Sequence, residues 1–456
     1  MTSFILLFLI AVIIGAYYAI RLHQMERGEK AGIRPLDKEL DQLDPKQKAE
    51  KTNKKEATYI GNDKQKRNVY CPDTMRHCFI AGTTGSGKTV LLSNFILSAI
   101  KKGYGLLAID GKGDVGPGSM LSITQDFCQK YKRKLYVVDM NHPEQSAQYN
   151  PFKNANATAA KDMLINMSDW SEEHYKANTE RYLQRLIQML LKNEETLSFH
   201  TILAHLTKDN FEELSKQLLE KERITKQQHL DNLELAETSS LIADSAAARF
   251  ATIEESTVGQ IFSDVGTDIY TALKEKAIIL FVLNPLLYPE TSTTLGRLAL
   301  IDAKVAVSKS FGSQDRTFFI LDEINVYAST VLVDLINKSR SAGITCFAAT
   351  QSLADLDINK EDKLKRQLLE NCNNYILLRQ NTFQSAEELA KMIGTVERMK
   401  MTYQISESQS TGKGSARRVR EFLIHPDEIK AQKTGEAVFV SRDNGSCIRL
   451  NIHKPF

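Results

Sequence analysis

Residues Gly82 to Thr89 read GTTGSGKT. They fill every fixed position of a phosphate-binding loop, G-x-x-x-x-G-K-[ST]. The four residues before it, Cys78 to Ala81, are a short apolar run of the kind a buried strand needs. The residues after it, Val90 to Ile100, carry apolar side chains at helical spacing. Strand, glycine loop, helix is the context in which this pattern has a mechanism. The backbone N–H groups of Gly82, Thr83, Thr84, Gly85, Ser86 and Gly87 turn inward on a phosphate, and the helix N-terminus adds partial positive charge. Lys88 reaches the β- and γ-phosphates and the Thr89 hydroxyl holds Mg²⁺. ATP and Mg²⁺ are the expected ligands.

Outward from the loop, apolar strands alternate with helical stretches. Leu106–Asp110 (LLAID) runs into Gly111–Asp114 (GKGD), which places Asp110 and Lys112 at a strand end, where open α/β sheets bind ligands. Further strands are expected at Lys134–Asp139, Ala277–Leu283, Thr317–Leu321, Thr345–Ala349, Tyr375–Arg379, Glu436–Ser441 and Cys447–Ile452. Thr317–Leu321 leads directly into Asp322 and Glu323. The first carboxylate orients the Mg²⁺ shell and the second polarises the attacking water as general base. Thr345–Ala349 ends in Thr350-Gln351-Ser352, where Gln351 can hydrogen-bond the γ-phosphate or the water. Arg340 ends the preceding helix. It reads either as a solvated helix-terminal charge or as an arginine finger on a neighbouring subunit's ATP. The expected catalytic set is thus Lys88, Glu323, Arg340 and Gln351, with Thr89 and Asp322 on the metal. The pattern predicts an α/β fold, a RecA-like P-loop NTPase with a mostly parallel sheet. In that arrangement another strand separates the one carrying the loop from the one carrying Asp322.

Between about Asn156 and Thr257 the strand signal stops. Helical spacing replaces it at Tyr175–Lys192, Thr201–Leu206, Phe211–Glu222 and Leu241–Ala251, with Ser198 as an N-cap. This predicts an inserted all-α domain at 156–250, which splits the nucleotide-binding domain into 70–155 and 251–456.

The chain opens with Phe4–Ile20, FILLFLIAVIIGAYYAI, uncharged and long enough for a short transmembrane helix. Basic residues follow it at Arg21, Arg27, Lys30 and Arg34, and none precedes it. Residues 1–20 are therefore expected to form a single-pass anchor in the cytoplasmic membrane, N-terminus outside and ATPase domain in the cytoplasm. Residues 21–69 are polar and read as a cytoplasmic linker. Composition is that of a globular protein, 42% hydrophobic and 25% charged; the net charge of +3 does not by itself imply nucleic acid. The six cysteines show no zinc-site spacing and read as reduced, mostly buried thiols.

The membrane helix, GTTGSGKT, GKGD, Tyr149–Phe152 (YNPF), the helical insertion, LDEI and SRSAGITCFAATQS together resemble the type IV coupling proteins of bacterial conjugation, the TraG/TraD kind. The resemblance spans about Tyr70–Pro455, including Asn371–Thr395 and the segment around Pro426. It implies a homo-hexameric ATPase ring on the membrane that pumps single-stranded DNA, with an attached relaxase, into a type IV secretion channel. It also implies partners among relaxosome proteins and channel components, a substrate-recognising role for the α-domain, Arg340 as the finger in trans, and Gln351 as the sensor. The residue that is usually proline in the strand-end turn is Gly111 here. Alternatives are an FtsK-type double-stranded DNA translocase, which usually carries a winged-helix tail for which no room is expected after Asn451, and an ATPase for protein-only secretion. The basic run Ala416–Arg420 (ARRVR), after Gly412-Lys413-Gly414, is the best candidate for a loop that touches DNA.

Overall fold

The structure, a computed structural model, describes residues 15–17, 19, 54–167, 170, 172–357, 363–406 and 409–456. The apolar run Phe4–Ile20 lies outside these apart from four positions. Among the described residues no helix is long and apolar enough to cross a membrane.

Thirteen strands are described: β1 (Ala57–Asp63), β2 (Asn68–Pro72), β3 (Cys78–Ala81), β4 (Gly105–Asp110), β5 (Leu135–Asp139), β6 (Ile278–Val282), β7 (Thr317–Asp322), β8 (Ile344–Thr350), β9 (Asn374–Leu378), β10 (Thr395–Ser406), β11 (Gln409–Phe422), β12 (Glu436–Ser441) and β13 (Ser446–Ile452). Eleven of them form one sheet, in the order β2-β1-β13-β12-β9-β3-β8-β7-β4-β6-β5. From β9 to β5 every neighbouring pair is parallel. The other end is antiparallel. Strand β8 separates β3 from β7, as the RecA-like reading expects.

The parallel strands are buried on both faces, so they read as continuous apolar runs. Side chains alternate between two cores. Ile80, Leu106 and Ala108 face α1 (Lys88–Lys102) and α2 (Met120–Tyr131). Phe79, Leu107 and Ile109 face the opposite core. That second core runs without a break into the helical segment, α3 (Ala157–Asn166), α4 (Glu173–Lys192), α5 (Phe199–Ala204), α6 (Lys208–Glu220) and α7 (Lys226–Glu254). Ser198 caps α5 as expected, its side chain accepting from Thr201 N–H. The YNPF stretch is the junction. Tyr149 OH donates to Asp302 at 2.8 Å, and the Phe152 ring packs edge-on against Phe199 at 5.0 Å. The same core takes α8 (Ile269–Lys274), α9 (Pro289–Lys309), α10 (Thr330–Ser339), α11 (Lys363–Asn371), α12 (Phe383–Ile393) and α13 (Pro426–Ala431).

Two expectations differ from the fold. The linker read over 21–69 gives way at Ala57 to β1, a sheet strand flanked on both sides. Its polar residues are buried because they are bonded: Thr58 donates to Asp73 at 2.8 Å, and Asp73 also receives Lys102 and Tyr104. The basic run at Ala416–Arg420 is not a loop but part of β11, which pairs with β10 in a separate two-stranded ribbon. All six cysteines are free, and five are buried.

Candidate functional site

Four adjacent parallel strands, β3, β8, β7 and β4, end side by side. They deliver the phosphate loop, Gln351, Asp322–Glu323 and Asp110 to one crevice at the C-terminal edge of the sheet, where open α/β folds bind ligands.

Gly87 is the N-cap of α1 with φ 106°, a left-handed conformation open to glycine and strained for other residues. No side chain caps this helix, so its first N–H groups are left for a ligand. The Ser86 hydroxyl is buried with no hydrogen-bond partner among the described residues. An oxyanion would satisfy both, so these residues fit a nucleotide phosphate. The loop is clamped from two sides. Thr83 donates to the Arg379 carbonyl through both N–H and hydroxyl, each at 3.1 Å. Gly435 N–H donates to Ser86 O and the Thr434 hydroxyl to Gly85 O, both at 2.9 Å. Arg379 and 434–435 escaped the sequence reading because their contacts bridge 296 and 349 residues. The Arg379 Nε is itself buried beside the loop with no hydrogen-bond partner among the described residues.

Lys88 is only 8% exposed. Its Nζ donates to Glu323 Oε1 at 2.7 Å and lies 3.6 Å from Asp322 Oδ1. Gln351 Nε2 donates to the same Oε1 at 3.1 Å, and Thr84 donates to Gln351 Oε1 at 3.2 Å. Thr84, Gln351, Glu323 and Lys88 thus form one hydrogen-bonded chain across the crevice. The second oxygen of Glu323 is buried without a partner, which leaves it available to a water. Thr89 follows Lys88 half-buried; its hydroxyl and the Asp322 carboxylate are the hard oxygen donors a Mg²⁺ ion takes.

Glu323 has φ 47° and ψ 51°, a left-handed conformation that costs a non-glycine residue about 1 kcal/mol or more. Its surroundings hold it there. Glu323 N–H donates to Asp322 Oδ1 at 3.0 Å, and Tyr327 OH to Asp322 O at 3.0 Å. Gly111 supplies the space: a Cβ on it would sit 2.8 Å from Glu323 O and 2.9 Å from Glu323 Cβ.

Asp110 and Asp322 are register neighbours. Burial pushes Asp322 up to about 6, opposed by the Lys88 ammonium. Burial and then the Asp322 charge push Asp110 up to about 7, against the N–H bond from Lys112 at 2.9 Å. The Lys112 ammonium turns instead to Asp114 at 3.0 Å, half-exposed.

Arg340 is not brought to this crevice. It is exposed at the opposite end of β8, one seven-residue strand away from Gln351. At about 3.3 Å per residue that is more than 20 Å. It neighbours the foot of β3 instead. There, burial first and the Arg340 charge second hold His77 down at about 4.

The crevice and its strand order define a P-loop NTPase of the RecA-like kind. Residues 316–434 match the family model described as the TraM recognition site of TraD and TraG, and residues 70–280 match that of the helicase HerA central domain. A stretch of 60 residues is 42% identical to the type 4 coupling protein DotL of Legionella pneumophila. It is 12% of this chain and spans 8% of DotL's length. The fold is similar to the bacterial conjugative coupling protein TrwB, with a TM-score of 0.59 at 17% identity over 85% of this chain and 88% of that one. TrwB in complex with ADP and Mg²⁺ also gives 0.59, at 16% identity over 88% and 94%. VirB4 of Thermoanaerobacter pseudethanolicus gives 0.56, at 14% identity over 89% and 98%. Together with the motifs, these matches support a type IV coupling protein.

Proposed function

We propose that the protein is a membrane-anchored ATPase that recruits single-stranded DNA, with an attached relaxase, and pumps it into a type IV secretion channel. The observation that carries the ATPase reading is Glu323. One of its oxygens is held by Lys88 and Gln351, and the other is left open in a buried site.

Lys88 binds the β- and γ-phosphates, which takes its ammonium away from Glu323. Thr89 and Asp322 would hold Mg²⁺, which would offset the charge that develops on the transferred phosphoryl group. Glu323, released from Lys88, orients the attacking water and accepts its proton. Gln351 touches Glu323 and Thr84 at once, so it is positioned to report the state of the γ-phosphate to β8. Arg340 lies too far away to serve its own site and acts on a neighbour's, which requires a ring; a homo-hexamer is the proposed assembly. Residues 156–250 are proposed to recognise relaxosome proteins, with residues 70–155 and 251–456 as the motor. Phe4–Ile20 is proposed as the anchor in the bacterial cytoplasmic membrane, the motor on the cytoplasmic side. The TraM recognition described for the matching family and TrwB's description as a conjugative coupling protein support this choice of cargo and channel.

The test is ATP turnover by the full chain in detergent, with and without single-stranded DNA, beside membrane fractionation of cells that express it. DNA-stimulated turnover that Lys88→Ala abolishes, from protein found with membranes, is the expected result. A chain without turnover in either condition refutes the motor; a chain found in the soluble fraction refutes the anchor.

A further inference from the structure

The ribbon of β10 and β11 stands apart from the sheet. Its strands are twelve and fourteen residues long, and at 3.3 Å per residue the shorter one spans about 40 Å. At its base, Leu423 N–H donates to Gly394 O at 3.0 Å, and α12 packs beside β11. Two-stranded ribbons are marginal in water unless they lie against something.

Residues 395–422 contain six Lys and Arg against three Glu, a net +3. The whole chain is also +3, so the remainder is neutral and the ribbon holds all of the excess positive charge. Arg398, Lys400, Arg417, Arg418 and Arg420 are exposed. The register sets Lys400 directly opposite Arg417, on the same face as Arg398, and places Arg418 and Arg420 on the other face. Like charges directly opposite destabilise a strand pair. Lys400 turns away to Glu421, and Arg420 pairs with Glu397 at 3.8 Å. Arg398, Arg417 and Arg418 form no ion pair among the described residues. What is left is an exposed ribbon with net positive charge and three arginines outside its ion pairs, the electrostatics that suit a polyanion.

We propose that this ribbon binds the phosphate backbone of single-stranded DNA through Arg398, Arg417 and Arg418, without reading base sequence. The inference rests on the DNA-pumping reading and adds to it the element that grips the cargo. Such contacts release counterions, with a salt slope of about −0.7 per phosphate neutralised.

The experiment uses the full chain in detergent and a fluorescein-labelled oligothymidylate, read by anisotropy across a salt series. It compares the parent, the triple variant Arg398→Gln/Arg417→Gln/Arg418→Gln, and a control triple Lys101→Gln/Lys130→Gln/Lys274→Gln that removes the same charge elsewhere. Losing three contacts makes the log–log salt slope shallower by about 2 and weakens binding about 50-fold near 0.15 M salt, with the control close to the parent. Unchanged binding of a fluorescent ATP analogue shows that the ribbon variant is folded. If the parent binds DNA and the ribbon variant binds it with the same affinity and slope, the ribbon is not the grip and the DNA reading survives. An equal loss in the control means that affinity follows total charge, which also overturns the proposal. A parent that binds no DNA at any salt removes the DNA reading, and the proposal with it.

Discussion

Glu323→Gln is the most informative single change, because Lys88 is held by the residue it must leave. In the nucleotide-free site the Lys88 ammonium lies 2.7 Å from Glu323 Oε1 and 3.6 Å from Asp322 Oδ1, all buried. Removing one partner of a buried pair ordinarily costs about 3–5 kcal/mol. Here Asp322 remains, and the glutamine amide keeps the contact, so the nucleotide-free protein should lose about 1–2 kcal/mol. ATP brings its own negative charge to Lys88, and in the parent it must displace Glu323 and repel it. In the variant that opposition is gone. The 1–2 kcal/mol is recovered on binding, and ATP should bind about 5- to 30-fold more tightly. Turnover should fall by at least about 100-fold, since the amide cannot accept a proton. The assays are thermal unfolding without nucleotide, titration of a fluorescent ATP analogue, and phosphate release. A variant that binds ATP no more tightly than the parent would show that Lys88 does not exchange Glu323 for phosphate.

Three further outcomes follow from the geometry. Gly111→Ala should push the left-handed turn at Glu323, costing about 1–3 kcal/mol of stability and on the order of 100-fold in kcat, while ATP affinity stays within a few-fold; normal kcat would mean that Gly111 does not position Glu323. Asp110 and Asp322 titrate near 7 and 6 against an ordinary 3.8. The folded protein therefore holds protons that the unfolded chain releases between about pH 4 and 7, and nucleotide-free stability should fall as pH rises across that window. Asp110→Asn should flatten this slope in a denaturant series, and an unchanged slope would remove Asp110 as its source. Arg340→Ala should bind ATP normally but turn over about 10³-fold more slowly in the assembled protein, with partial rescue on mixing with Glu323→Gln; an equal loss in a forced monomer would place its action within its own subunit.

The residues that meet in the crevice are legible in the sequence because their signals are local. GTTGSGKT, an apolar strand ending in Asp322–Glu323, and a polar strand end at Gln351 each carry their meaning within a few residues. Strands in the parallel core were found to within a residue or two, since burial on both faces leaves a continuous apolar run. Strand β1 was not, because its burial rests on hydrogen-bonded polar residues such as Thr58, which look like linker. The first half of α7 was missed because Leu230 is exposed and the apolar stripe there is sparse. The ribbon is hard to read because only one strand carries the signal: Met399, Met401, Tyr403 and Ile405 alternate along β10, whereas Gln409–Ser415 of β11 is polar, holds two glycines and reads as a loop. The clamp by Arg379 and residues 434–435 was beyond reach of local pattern altogether. Gly111 departs from the residue usual in that turn, and the reason is the Glu323 backbone lying against it, just past the end of β7 and more than two hundred residues later in the chain.

The clamp on the phosphate loop also orders events during synthesis. Gly85 and Thr434 are 349 residues apart, and β1 is flanked on one side by β13. At 5–20 residues per second, a ribosome takes roughly 20–70 s to travel from one side of the clamp to the other. Throughout that interval the emerging chain has its glycine loop but not the backbone that braces it, nor the strand that closes the sheet beside β1. A nascent chain, or one truncated before Thr434, therefore cannot assemble the braced loop, and the braced site is completed only after the ribosome has passed Gly435.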